Sequence, residues 1–179
     1  MAHASILVLA ALSVGGVTGL VLPDHPAEID ISQDKCTSAE TSQKDLDLIV
    51  YGATGFTGKL TSFFLANDSL AEGLRWAMAG RDSIKLDYIA GVAAKGSSRS
   101  THPEKLTFGL KNSTRLLEHV RRARVVLNFA GPYEANGGEA LIRAALGGCA
   151  HYVDIAGEIQ WKAAMVRKYA PIAEARGLA

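Results

Sequence analysis

From Asp45 onward, short apolar runs alternate with stretches whose apolar residues recur every three or four positions. Leu46–Tyr51 is β-branched and apolar and stops at a glycine, the mark of a strand buried on both faces. Phe56–Ala66 follows with Leu60, Phe63 and Phe64 at helical spacing. Leu74–Ala79, closed by Gly80, predicts a second strand, and Ser83–Ala94 a second helix. After the polar loop Gly96–Pro103, Lys105–Leu110 reads as a third strand. Asn112 or Ser113 is placed to cap the next helix, around Leu116, Leu117 and Val120. Arg124–Ala130 predicts a fourth strand, Gly138–Leu146 a helix closed by Gly147-Gly148, His151–Ile155 a fifth strand and Glu158–Arg176 a last helix. Such alternation demands parallel strands joined by crossover helices that cover both faces. The expected architecture is a doubly wound parallel α/β sheet.

The first 44 residues break this pattern. Ala4–Leu22 is an uncharged run whose length nearly matches a bilayer core. It reads equally as a signal peptide, as an uncleaved anchor, or as foreign residues added by a misplaced start; no Lys or Arg precedes it. Residues 23–44 carry Pro23, Pro26 and scattered polar residues without periodicity, which predicts a linker. The folded domain is then expected over 45–179.

Composition narrows the function. With 19 Lys+Arg against 18 Asp+Glu the chain is too balanced for a dedicated nucleic-acid binder. The balance is uneven, however: Met1–Asp45 is acidic and the remainder basic, which suits an anionic small ligand. Arg121, Arg122 and Arg124 cluster without an aromatic platform, so a solvated helix end is preferred to an RNA site. Two cysteines, Cys36 and Cys149, give neither a disulfide framework nor a zinc site, and no metal is expected. His3, His25, His102, His119 and His151 are scattered, with His119 read as a surface residue. Asn67-Asp68-Ser69 and Asn112-Ser113-Thr114 are glycan-acceptor triplets that matter only in the secretory pathway.

Chemistry enters where the first strand meets the first helix. Gly52, Gly55 and Gly58 punctuate Tyr51-Gly52-Ala53-Thr54-Gly55-Phe56-Thr57-Gly58. Gly52 permits the turn off the strand, Gly55 lets backbone approach a pyrophosphate, and Gly58 clears the contact between helix and strand. The helix N-terminus, with the amide of Phe56 and the hydroxyls of Thr54 and Thr57, offers donors to phosphates. The spacing G-x-x-G-x-x-G differs from the simplest dinucleotide fingerprint, but its setting between strand and helix favours a dinucleotide. The second strand leads to Arg81, whose guanidinium fork suits a 2′-phosphate and so favours NADP over NAD. Asp82, the rival ribose ligand, is better placed to cap the helix that follows.

These motifs, with Ala79-Gly80-Arg81, Asn128-Phe129-Ala130-Gly131-Pro132-Tyr133 and Tyr152-Val153-Asp154-Ile155-Ala156-Gly157-Glu158, resemble those of the saccharopine dehydrogenase-like oxidoreductases. Bacterial trans-acting enoyl reductases share the pattern. The resemblance covers about Asp45 to Ala179 and implies a Rossmann-like domain that binds NAD(P) through the glycines and Arg81. It also implies that Asn128, Gly131 and Pro132 pass near the nicotinamide, and that Tyr133, Asp154 and Glu158 lie towards substrate. Family members continue into a further strand and a second, substrate-covering domain, so the chain is expected to stop short of it.

The expected function is thus the cofactor-binding portion of an NAD(P)-dependent oxidoreductase acting on a small, lipid-related molecule. The alternative is a non-catalytic nucleotide-binding module on a membrane or lipid-droplet surface, held by Ala4–Leu22. The expected location is the cytoplasmic face of such a surface or the cytoplasm, with secretory entry and self-association left open. Other chemistries lack their residues: there is no Tyr-x-x-x-Lys pair of a short-chain dehydrogenase and no G-x-S-x-G elbow of a hydrolase.

Overall fold

The computed structural model describes residues 29–31, 35–96 and 102–179. The apolar run 4–22 and the first part of the expected linker lie outside them. Five strands, β1 (Leu46–Tyr51), β2 (Trp76–Gly80), β3 (Glu104–Thr107), β4 (Ala123–Asn128) and β5 (His151–Asp154), form one sheet in the order β3-β2-β1-β4-β5. Every pairing is parallel, with Ile49 opposite Ala77 on one side and Val126 on the other. The chain runs outward from β1 to β3, then returns to lay β4 on the opposite side of β1. That reversal opens a crevice at the carboxyl ends of β1 and β4, where ligands of such sheets gather.

Alternation along β1 explains why helices are needed on both faces. Ile49 and Tyr51 face one layer, with Leu116 and Val120 of α4 (Ser113–Val120) and Leu141, Ala144 and Ala145 of α6 (Gly138–Gly147). Val50 and Met78 face the other, with Ala66 of α2 (Phe56–Asn67) and Leu86, Ile89 and Ala93 of α3 (Ser83–Gly96). A third cluster joins Tyr133 of the short helix α5 (Tyr133–Asn136) to Trp161 and Tyr169 of α7 (Ile159–Arg176). The third strand is shorter than its apolar run predicts. It stops at Thr107 because Phe108–Lys111 turns across the top of the sheet, while Phe108 N donates to Gly80 O. His119 is half-buried, not a free surface residue: it stacks on Phe108 with ring centroids 4.8 Å apart.

The described part of the expected linker packs on the domain. Ile29 is buried against Gly147, where an added Cβ would sit 2.4 Å from Ile29 Cγ2. Cys36 is bridged to Cys149, and Thr37 caps a short helix, α1 (Ser38–Ser42), through a capping box with Glu40. Lys44 is almost fully buried and donates to Arg121 O, Ala123 O and Gly148 O at 3.1, 2.8 and 2.8 Å. Burial pulls its ammonium down to about 8, leaving it charged at neutral pH. One amine thereby satisfies carbonyls at the ends of α4 and α6 and at the start of β4.

Ion pairs lie at the same rim. Arg122 spans Asp45 and Glu104, and its guanidinium holds the Asp45 carboxyl below the usual range. Arg124 lies 3.4 Å from Asp47, which also pairs with Arg75. Two arginines of the basic cluster therefore neutralise carboxylates.

Replacing Lys44 with Met should destabilise the fold, since each buried acceptor left without a donor costs about 1–3 kcal/mol. The urea midpoint should fall with little change in slope; an unchanged midpoint would show that the three carbonyls find other donors.

Candidate functional site

Gly52 leaves β1 with φ +79°, a conformation that a side chain would strain. Its amide donates to Ala79 O at 2.9 Å, and Gly55 N closes the turn onto Gly52 O at 2.9 Å. A Cβ on Gly52 would lie 2.8 Å from Ala130 N, so the β1 and β4 loops touch backbone to backbone. Gly58 is tighter still: a Cβ there would stand 2.2 Å from Gly52 O. Only hydrogen fits, and α2 is thereby seated directly over the turn. The helix begins its bonding with Lys59 N to Gly55 O, which leaves the amides of Phe56, Thr57 and Gly58 as the orphan donors of a first turn. No side chain caps that end.

Above this turn lies an open cleft of about 410 Å³, lined by Tyr51, Gly52, Thr54 and Gly55 on one side and by Phe129, Ala130, Gly131 and Asn136 on another. Gly80 and Arg81 close it at the end of β2, with Gly109, Leu110 and Lys111 beyond them. The cradle fits a bridging pyrophosphate: glycines that admit close approach, unpaired first-turn amides and a positive helix end. Tyr51 forms part of the floor; burial raises its phenol, and the Arg81 cation pulls the other way. Asp82 does not line the cleft. Its Oδ1 accepts from Lys85 N at 3.0 Å and caps α3, so no carboxylate lines the cleft among the described residues.

The fourth-strand loop is held from beneath. Asn128 is fully buried and spends every polar group: Nδ2 donates to Tyr152 Oη at 3.0 Å, Oδ1 accepts from Ala130 N at 3.0 Å, and its carbonyl accepts from Tyr133 Oη at 2.9 Å. Asn128 is therefore a positioning residue below the loop rather than part of the cleft wall. Gly131-Pro132 is a cis peptide, and Asn136 Nδ2 reaches back to Ala130 O at 3.3 Å. Tyr133 is buried, and its amide donates to Glu158 Oε1 at 2.6 Å. Burial raises the Tyr133 and Tyr152 phenols, and the Asp154 carboxylate adds to the rise at both. Both phenols thus stay neutral, Tyr133 donating to the Asn128 carbonyl and Tyr152 accepting from the Asn128 amide.

Of the residues expected at a coenzyme, the structure gathers Gly52, Thr54, Gly55, Arg81 and Gly131 around the cleft, with Gly58 behind its turn. Phe56 is 79% exposed on the first turn of α2, beside Thr57. Neither they nor Pro132 wall the cleft. Tyr133 and Glu158 bind each other instead of facing it, and Asp154 accepts from Ala156 N beside a second, apolar cavity under α7. Sequence reasoning missed Gly109, Leu110, Lys111 and Asn136. Their signal was faint: a glycine after a short strand and a lone amide beyond Gly-Pro.

A parallel sheet wound on both sides, with a glycine turn at its switch point, defines a Rossmann-like α/β domain. Comparison with known proteins agrees. The chain is 34% identical over 145 residues to the human saccharopine dehydrogenase-like oxidoreductase, covering 77% of this chain and 34% of that one. It is 36% identical over 133 residues to the Caenorhabditis elegans lipid droplet localized protein, 74% of this chain and 31% of that one. Apo saccharopine dehydrogenase (L-Glu forming) from Saccharomyces cerevisiae superposes with a TM-score of 0.56 at 14% identity, over 75% of this chain and 26% of that one. No family model matches. The chain belongs to the saccharopine dehydrogenase-like family and spans about a third of the length of the curated relatives it matches.

Two substitutions separate the parts of the site. Gly58→Ala must push α2 off the turn, costing about 1–3 kcal/mol and weakening nicotinamide-dinucleotide binding in calorimetry. Asn128→Ala leaves Ala130 N and Tyr152 Oη without their partner, at about 1–3 kcal/mol read by chemical denaturation.

Proposed function

We propose that this chain is the coenzyme-binding unit of an NADP-dependent oxidoreductase. The observation that carries the reading is the electrostatic character of the cleft: Arg81 and Lys111 line it and, among the described residues, no Asp or Glu does. An extra phosphate dianion at the ribose gains from both cations, whereas a plain ribose hydroxyl finds no carboxylate to accept its proton. Asp82, the rival ribose ligand, is engaged in capping α3.

In this reading the Thr54–Gly58 turn binds the pyrophosphate through first-turn amides, with the Thr54 hydroxyl as an added donor. Gly109 and Leu110 form the apolar seat of the adenine. Gly131 brings the β4 loop within reach of the nicotinamide half, and the Asn128 network holds that loop from beneath. When bound, the nicotinamide would supply hydride chemistry, and the protein would orient it. Of the residues the family resemblance places towards substrate, Asp154 and Glu158 stand at or just beyond the carboxyl end of β5, and Tyr133 lies beneath the β4 loop. The Caenorhabditis elegans relative is named a lipid droplet localized protein, and that name supports a place for the domain at a lipid surface.

Arg81→Ala tests the assignment. Loss of a charge-assisted hydrogen bond of about 1.5–3 kcal/mol should weaken NADPH binding by roughly ten- to a hundredfold while leaving NADH binding nearly unchanged. Equal losses for both coenzymes would overturn the preference for NADP.

A further inference from the structure

The Cys36–Cys149 bridge joins residues 113 positions apart, with Cα atoms 5.8 Å from each other. Cys149 is buried in the turn that leads into β5, next to Arg176, whose guanidinium donates to its sulfur at 3.5 Å. Closing this bridge takes two electrons and two protons from the thiols, passed to a thiol–disulfide exchange partner. Structural bridges of this kind persist in oxidising compartments and are rare where glutathione keeps thiols reduced. A second, independent feature belongs to the same surroundings. Asn67-Asp68-Ser69 is a complete glycan-acceptor triplet, and in the fold Asn67 is exposed at the last residue of α2.

We infer that Asn67 carries an N-linked glycan and that the domain resides on the lumenal side of a secretory membrane. The Asn67 side chain makes one bond, from Nδ2 to Phe63 O at 2.8 Å, and a glycosylated amide keeps the N–H that this bond needs. Ser69 is exposed at the start of a single 3-10 turn, and the neighbouring Leu70 is 87% exposed, so space for a bulky sugar is open. The position also spares the cleft. Helix α2 starts at the carboxyl ends of the strands and finishes at their amino ends, so Asn67 and the bridge share the rim remote from Gly52 and Arg81. Asn112 is the less suitable acceptor: it follows Lys111 of the cleft, and its Oδ1 caps α4 by accepting from Arg115 N.

In the transfer, a bond forms between Asn67 Nδ2 and the anomeric carbon of the sugar. The bond from that carbon to the phosphate of a polyprenyl-pyrophosphate oligosaccharide donor breaks, one amide proton is released and the lipid pyrophosphate leaves. No redox change accompanies it. The uncharged run Ala4–Leu22 is the sequence element suited to deliver the chain.

The test uses the full 179-residue chain expressed in eukaryotic cells. Peptide N-glycosidase in heavy-oxygen water should convert Asn67 to labelled Asp in the tryptic map. Asn67→Gln and Ser69→Ala should each remove one glycan step from the gel mobility, the second while leaving the asparagine itself in place. Cys36 and Cys149 should resist alkylation until reduced. Recovery of the peptide with unmodified Asn67 overturns the proposal whatever the state of the cysteines, and alkylation of both thiols without reductant would then place the domain on the cytosolic face.

Discussion

A single backbone contact governs the site: the α-carbon of Gly58 lies so close to the carbonyl of Gly52 that no side chain fits between them. Because α2 rests directly on the turn, its amide-bearing end points into the crevice between β1 and β4. Gly52 touches the Ala130 backbone in the same way, so two loops from different halves of the sheet meet without intervening side chains. Close-packed backbone has no soft rotamer to yield, which gives the turn one shape.

The second determinant is a polar knot rather than an apolar one. Asn128 is buried at the end of β4, where an unpartnered amide would be costly, yet its partners come from β5, from α5 and from its own loop. The loop that borders the cleft is therefore stabilised by residues that never touch it from the solvent side. This explains why Tyr133 and Glu158, which the family resemblance places near substrate, serve here to hold each other and the loop.

Much of this was legible in the sequence. The five strands, the helices between them and the glycine turn follow from periodicities that local sequence fully encodes, and the boundaries differ by only a few residues. The place of Arg81 at the cleft was legible because it directly follows the second strand. What escaped notice depends on distant partners. Lys44 looks like a solvated linker residue until the ends of α4 and α6 arrive beside it, and Cys36 has no visible mate 113 residues ahead. Lys111 sits just past the expected third strand, and its place near Arg81 emerges only when β3 is laid outside β2. The turn at α5 was hidden because Gly131-Pro132 reads as a terminator, while the four residues after it form a helix too short for a periodic signal.

The sheet has two rims with different duties. Lys44, the Arg122 ion pairs and the Cys36–Cys149 link all sit at the amino ends of the strands, and the glycine cradle sits at the carboxyl ends. Roughly five residues of rigid parallel strand, at about 3.3 Å each, keep the two sets apart. Mutational drift, thermal adaptation or deliberate engineering of the anchoring rim can therefore retune how firmly the molecule holds together without detuning what it recognises.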